Sequence, residues 1–425
     1  MKRDLWLLVV LVFAPAVASA DDGNYRPYLI GARAGGMGGA ATALSDDASG
    51  PFYNPAGIAY VKRSQLSLSG SLFGVVRGSI ADALGTGNDF NFSDLQTFPI
   101  QTSAVYKLGS DDPAKSEQAL AFSIFVPQSI ALDDRDDLGL NGLSFFNSGK
   151  EDDVWAGFSY AQRFGQVSVG ASLFGLVETE VSALDLTAAP SATSFANISA
   201  RFDELRVGVV GALGVRFDLT DDISLGASVF SPEIGIHSNR RLYVRIADGN
   251  SGGMDSQIFL RRSEDLHATP SLPGRLQAGI AWSSGDVTLA ADVIVLLPRN
   301  VFDDTDRAAE GLSRTIERNL VVNGAAGVEV MLTPSIPFRA GFWTDLSASP
   351  DPSASGPDNA EQLDRLGTSL SIGLRGEHTE SNINLNLTYA WGKTLIPNNF
   401  DFTDLRAADE KQIGLYIVFA SSFQF

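Results

Sequence analysis

Fourteen stretches in which apolar and polar residues alternate run down this chain of 425 residues. They cover about 65–77, 98–108, 118–127, 153–164, 166–177, 204–218, 222–234, 272–283, 286–297, 320–332, 336–345, 368–377, 382–393 and 411–425. A period of two is the mark of a strand whose two faces meet different surroundings. Apart from a medium gap at 109–117, every second connection is a tight turn, such as Phe164-Gly165-Gln166, Thr220-Asp221-Asp222 or Thr379-Glu380-Ser381-Asn382. The remaining connections are long and polar. Short turns at one end, long loops at the other and an even strand count predict an all-β fold, a 14-stranded antiparallel transmembrane β-barrel over residues 65–425.

The chain start agrees with an outer-membrane address in a Gram-negative bacterium. Lys2 and Arg3 precede an apolar run from Leu5 to Ala18, and Ala18-Ser19-Ala20 offers the small-x-small site at which a secretory leader is cut. Residues 1–20 therefore read as a signal peptide. No later stretch reaches the roughly eighteen uninterrupted apolar residues of a membrane-spanning helix. A closed barrel is the other structure that satisfies every backbone group in lipid. The last alternating stretch ends on Phe425, which predicts recognition of that strand by the barrel assembly machinery.

The chain has no cysteine, which rules out a disulfide scaffold and any thiolate metal site. Its formal charge of −19 becomes −20 once Lys2, Arg3 and Asp4 leave with the leader, and that sign argues against nucleic acid. Acids crowd outside the alternating stretches in Asp133-Asp134-Arg135-Asp136-Asp137, Glu151-Asp152-Asp153 and Asp303-Asp304-Thr305-Asp306. These read as solvated loop tips, with ion bridging to lipopolysaccharide as the sharper alternative. Lipid and lipopolysaccharide are then the immediate surroundings of a monomeric barrel.

Charges inside the stretches are segregated by parity. Leu205, Val207, Val209, Leu213, Val215 and Phe217 share one face of their stretch, as do Val287, Leu289, Val293 and Leu297, and Ile413, Leu415, Ile417 and Phe419. Lys107, Arg163, Arg206, Arg216, Arg275, Asp292, Glu329, Arg339 and Arg375 all fall on the opposite face. A charged residue facing lipid at mid-depth costs roughly 2–4 kcal/mol for Arg or Lys, which accounts for the segregation. Seven of the nine are basic, so they bring about +5 to the lumen, a charge that favours either an anionic ligand or pairing with acids of an internal plug.

Residues 21–64 do not alternate. They hold Gly35, Gly36, Gly38 and Gly39 around Met37, then Asp46-Asp47-Ala48-Ser49 and Asn54-Pro55-Ala56-Gly57. A nucleotide loop is a poor reading, because no strand precedes the glycines and Ala41 stands where a third glycine would be required. A small-residue segment packed inside a barrel explains them better.

These features resemble the amino-terminal hatch of the FadL-type outer-membrane transporters of long-chain fatty acids and hydrocarbons. Phe122-Ser123-Ile124-Phe125-Val126-Pro127 is similar to the third strand of that family. Leu272-Pro273-Gly274-Arg275-Leu276 through Ile280, with Ala290-Ala291-Asp292-Val293, resembles its central hairpin, and Pro337-Phe338-Arg339-Ala340-Gly341-Phe342 and Leu385-Asn386-Leu387-Thr388-Tyr389-Ala390 extend the likeness. The resemblance implies a hatch over 21–64, with Gly36, Gly38, Gly39, Asn54, Pro55 and Gly57 at its heart. It further implies passive uptake: a hydrophobic ligand is caught among the outer loops, enters a pocket beside the hatch and leaves sideways where the third strand is kinked. Apolar burial at about 0.8 kcal/mol per methylene is enough to drive the binding of an alkyl chain.

Candidate positions follow. Leu138, Leu140, Leu143, Phe145 and Phe146, in the connection after the third strand, are an apolar set suited to a capture groove at the mouth. Phe73, Phe125, Phe174, Leu176 and Phe230 are expected to face inward and line the pocket, or else to pack on the hatch. Pro127, which lacks a ladder donor, marks the expected lateral opening. The insert 235–271, which the family pattern lacks, contains Arg241–Ile246 and Gln257–Arg262, pieces too short to cross a bilayer, and is expected to form an extracellular loop that keeps the strand count at fourteen.

Catalysis has little support. There are three histidines, His237, His267 and His378, no G-x-S-x-G elbow, and no cluster with metal spacing, so neither an enzyme nor a cofactor is expected. A docking scaffold for secreted proteins is the alternative to a transporter.

Overall fold

The computed structural model describes residues 23–26, 28–83, 87–96, 101–109, 117–137, 143–191, 194–250, 257–266, 272–303, 314–353, 361–398 and 401–425. The expected leader, residues 1–20, lies outside the described residues. Along the chain the strands are β1 (Gln65–Ile80), β2 (Phe90–Gln96), β3 (Gln101–Leu108), β4 (Gln118–Asp137), β5 (Leu143–Phe164), β6 (Val167–Ser191), β7 (Ser194–Asp218), β8 (Ile223–Phe230), β9 (Ile234–Asn250) and β10 (Gln257–Leu266). They continue with β11 (Arg275–Ser284), β12 (Val287–Leu296), β13 (Arg299–Asp303), β14 (Arg314–Arg318), β15 (Val321–Thr333), β16 (Ile336–Asp345), β17 (Glu361–Arg375), β18 (Thr379–Asn398) and β19 (Asp401–Gln424).

The ring closes antiparallel in the order β1, β3, β4, β5, β6, β7, β8, β11, β12, β15, β16, β17, β18, β19 and back to β1, giving a barrel of fourteen strands. Each of the fourteen alternating stretches supplies one of them. The parity argument holds in space: Leu213 is 61 % exposed and Val293 51 %, whereas Val210, Ala290 and Ile294, on the other face, are buried. The outward row is apolar because lipid is its solvent, and closure of the ring pairs each strand with two neighbours over most of the ladder.

Phe73 does not follow its expected side. The β1–β19 register shifts between Ser71 and Phe73, so Leu72 is an extra residue and the alternation beyond it flips. Phe73 is thereby turned outward, 41 % exposed, while Val76 packs inward.

The insert keeps the strand count at fourteen and folds as a hairpin of two strands. β9 pairs with the outer half of β7 from Ile234 to Asn250, and β10 pairs with β9. The chain of β8 thus resumes as β9 after Ser231-Pro232-Glu233, so the insert is a β9–β10 hairpin that continues the sheet beside β7. β4 to β7 likewise run past the alternating stretches. Leu143, Phe145 and Phe146, expected in a loop, belong to β5, paired with Ala188, Leu186 and Asp185 of β6. Leu138 and Leu140 lie outside the described residues.

Inside the ring lies the segment that precedes β1: a short helix α1 (Ala32–Gly36), a second turn of helix α2 (Gly50–Tyr53) and a 3-10 turn over Pro55–Tyr60. Wall glycines let its backbone approach. A Cβ on Gly341 would stand 2.0 Å from the Gly38 nitrogen, and one on Gly226 2.1 Å from the Thr42 oxygen. Gly38 itself has φ +67°, a conformation that side-chain-bearing residues rarely adopt.

Candidate functional site

Polar groups of the wall hold the inner segment by its backbone. The Asp292 carboxylate accepts from Ala41 N, Thr42 N and Thr42 Oγ1, each at 2.8 Å. Ser369 accepts from Gly38 N at 3.0 Å and donates to Gly36 O at 2.9 Å. Asn54 Nδ2 donates to Thr42 O and to Val215 O, both at 2.9 Å, while its Oδ1 accepts from Ala56 N and starts the 3-10 turn at Pro55. Lys107 donates to Ala59 O at 2.9 Å and Arg275 to Phe52 O at 3.0 Å. Gly39 faces the Arg26 guanidinium, and Gly57 packs on Ser45. Segment carbonyls and amides that water would otherwise solvate are met in this way by the wall.

The remaining inward charges form ion pairs. Arg339, fully buried, reaches Glu329 at 2.6 Å, Glu380 at 2.7 Å and Asn382. Glu329 also meets Arg33 of the segment at 2.9 Å, and Arg375 meets Glu380 at 2.8 Å. Burial works against the Arg33 charge, but Asp46 and Glu329 outweigh it and raise its pKa. Arg163 and Arg216 share Asp218 and lie over the Tyr60 ring, 4.4 and 3.9 Å from its centroid. Arg206 pairs with Glu178 and Glu204. The positive charge counted on the nine positions is thus largely matched by acids of the wall itself.

On the loop side of the segment, Phe52 meets Tyr53, Phe125 and Trp155 at ring separations of 5.3, 5.7 and 5.8 Å. Phe174, Leu176, Val210 and Phe230 complete one buried cluster with them, and Arg275 lies 3.9 Å from the Phe230 centroid. Four of the five expected pocket residues therefore converge, and Phe73 is the one that does not. Phe52, Trp155 and Tyr53 are additions that sequence reasoning missed. A small cavity of about 30 Å³ remains among Phe52, Trp155, Phe230, Pro127 and Leu272.

Beside this cluster the wall is interrupted. β4 pairs with β3 from Gln118 to Ile124, and beyond Ile124 no ladder joins β4 to β2 or β3 among the described residues. On the other side the β4–β5 register shifts between Phe125 and Gln128, so Val126 and Pro127 form a bulge. Tyr28 of the segment donates its hydroxyl to the Val126 carbonyl and packs with Val76, Phe92 and Tyr416. Burial pushes the Tyr28 phenol well above its usual pKa, which keeps it protonated as a donor.

On the turn side of the segment a polar cavity of about 510 Å³ opens, lined among others by Asp46, Asp47, Lys62, Glu329, Arg375 and Glu380.

A scan of protein-family models and a search of curated proteins found no match. Among solved structures, that of a Pseudomonas aeruginosa FadL homologue aligns at a TM-score of 0.62 and 14 % identity, covering 94 % of this chain and 99 % of that one. The Pseudomonas putida toluene transporter TodX aligns at 0.62 and 15 %, covering 94 % and 99 %. This chain has the FadL-type fold. The Ralstonia pickettii toluene transporter TbuX aligns at 0.57 and 15 %, covering 96 % and 100 %. The FadL-type fold thus accounts for the chain almost end to end.

Proposed function

We propose that the chain is an outer-membrane channel for passive uptake of hydrophobic compounds, with residues 21–64 as its hatch and the β4 bulge as its lateral exit. One observation carries this reading: the buried aromatic pocket abuts the break in the wall, because Phe125 lines the pocket while Val126 and Pro127 form the bulge. A passenger driven by apolar burial finds bilayer at that edge. The route straight through leads instead into the polar cavity behind the segment, where an alkyl chain gains little. The solved FadL homologue and toluene transporters support the reading by their fold, and fatty-acyl and hydrocarbon ligands are both in scope. Leu143, Phe145 and Phe146 remain the proposed capture groove at the mouth.

The test is uptake of labelled oleate and labelled toluene by cells producing the chain, compared with cells carrying an empty vector. Faster accumulation of at least one is expected, and removal of one residue at the Val126-Pro127 bulge should abolish the gain. Equal accumulation of both compounds with and without the chain would retire the channel in favour of a docking scaffold.

A further inference from the structure

Two inward rungs of polar side chains sit one and two steps along the strands from the aromatic pocket, toward the loops. In the first, Gln128, Asp153, Glu178 and Arg206 are successive register partners across β4, β5, β6 and β7. In the second, Glu151, Glu180, Glu204 and Arg240 are partners across β5, β6, β7 and β9. Glu233, from the connection between β8 and β9, adds a carboxylate packed against Gly208. Six acids thus share this collar with two arginines. Arg206 reaches Glu204 at 3.1 Å and also pairs with Glu178, while Arg240 reaches Glu204 at 2.6 Å. Arg299, the next cation, donates to the carbonyls of Leu272 and Glu233.

Two carboxylates of the collar have capacity left. Glu233 is only 4 % exposed, and Arg206 and Arg299 act on its carboxylate by charge, with no side-chain hydrogen bond to it among the described residues. Asp153 accepts from Trp155 Nε1 at 2.7 Å through Oδ2, but its Oδ1 is buried with no hydrogen-bond partner. Both line a cavity of about 20 Å³ together with Tyr25, Gln128, Glu178 and Leu272. That volume holds about one water-sized group. The cavity in the aromatic pocket shares Tyr25, Gln128, Asp153 and Leu272 with it, so the two are adjacent.

Arg206 faces both carboxylates and Arg299 also faces Glu233, yet the acids of the collar outnumber these cations, and buried carboxylates in excess of their counter-charges gain from a further cation. A metal ion does not fit, because no group of three or more potential ligands gathers at metal distances among the described residues. An ammonium group has the size of the cavity, offers three donors, and places its hydrocarbon stem in the aromatic pocket next door. We propose that the collar is a headgroup site for the protonated amine of an amphiphile, which it prefers over a free carboxylate. This deepens the channel reading and rests on it. Arg275, which lines the pocket, is covered by the Phe230 and Phe52 rings and bonded to the Phe52 carbonyl, with its Nε left buried and unbonded, and the six collar acids outnumber it on the path of an incoming head.

The test is calorimetric titration of the full-length protein in detergent with three ligands of equal chain length: dodecylamine, dodecanol and dodecanoate. The amine is expected to bind at least about tenfold more tightly than the carboxylate, a difference of about 1.4 kcal/mol. Glu233→Gln and Asp153→Asn, each checked for a folded barrel by its gel mobility before and after boiling, should each lower that preference by about tenfold. Dodecanoate binding as tightly as the amine, or a preference unchanged in both folded variants, overturns the headgroup site. In either case dodecanol binding by the wild type leaves the channel reading standing. Failure of all three ligands to bind removes the channel reading, and this site with it.

Discussion

Tyr28 and Val126 are joined beside the break in the wall: the tyrosine hydroxyl serves a carbonyl that lies beyond the last β3–β4 pair among the described residues. A buried acceptor stripped of its donor costs about 1–3 kcal/mol, so this bond is a latch between the inner segment and the bulge. Tyr28→Phe keeps the ring packed on Val76 and Tyr416 and removes only the donor. Uptake of a labelled hydrophobe should rise several-fold in that variant, and an unchanged initial rate would show that the bond does not restrain the exit.

Asp292 holds three donors of the segment at once. Asp292→Ala leaves Ala41 N, Thr42 N and Thr42 Oγ1 without their acceptor, and hydrogen bonds to a charged group contribute about 1.5–3 kcal/mol each before their coupling is counted. The variant should conduct ions continuously in planar bilayers, where the parent is expected to stay closed. A closed Asp292→Ala barrel would mean that the remaining contacts hold the segment alone.

Gly341 and Gly211 make a matched pair for testing close approach. A Cβ at Gly341 meets Gly38 backbone, whereas one at Gly211 meets nothing within 4 Å. Gly341→Ala should lower the melting temperature and raise leak conductance, and Gly211→Ala should leave both near the parent values. Equal behaviour of the two would deny the wall its part in seating the segment.

Arg339 is fully buried between Glu329, Glu380 and Asn382. Removing one partner of such a group leaves uncompensated charge and costs about 3–5 kcal/mol. Arg339→Met should therefore shift the midpoint of urea unfolding downward far more than Arg63→Met, whose parent residue is exposed. Similar midpoints would place the pairing energy near zero.

The wall was legible because lipid punishes a charge at every second position, which imprints the period of two on stretches such as Val287–Leu297. Outside the bilayer that pressure ends. β5 continues from Asp153 back to Leu143 through Ser144, Asn147, Ser148, Gly149 and Lys150, where no alternation marks it, while β9 alternates only over a short piece, with Leu242 and Val244 buried between Arg241, Tyr243 and Arg245. Phe73 escaped because one extra residue at Leu72 reverses parity without any compositional trace. The pocket was half visible: Phe125, Phe174, Leu176 and Phe230 carry inward parity, while Phe52 and Trp155 meet them only through the path of the inner segment. Partner choice for Asp292 or Tyr28 depends on contacts hundreds of residues apart, which no local pattern records.

The glycines at 226, 327 and 341 stand on three different strands, yet each is matched to a particular stretch of one continuous backbone, at Thr42, Met37 and Gly38. Such a seat is a mould, and its shape has meaning only when the cast is present. Exchanging the leader-proximal piece between two barrels of this shape would therefore demand that the moulding glycines travel with it, so the wall and its filling change as one unit.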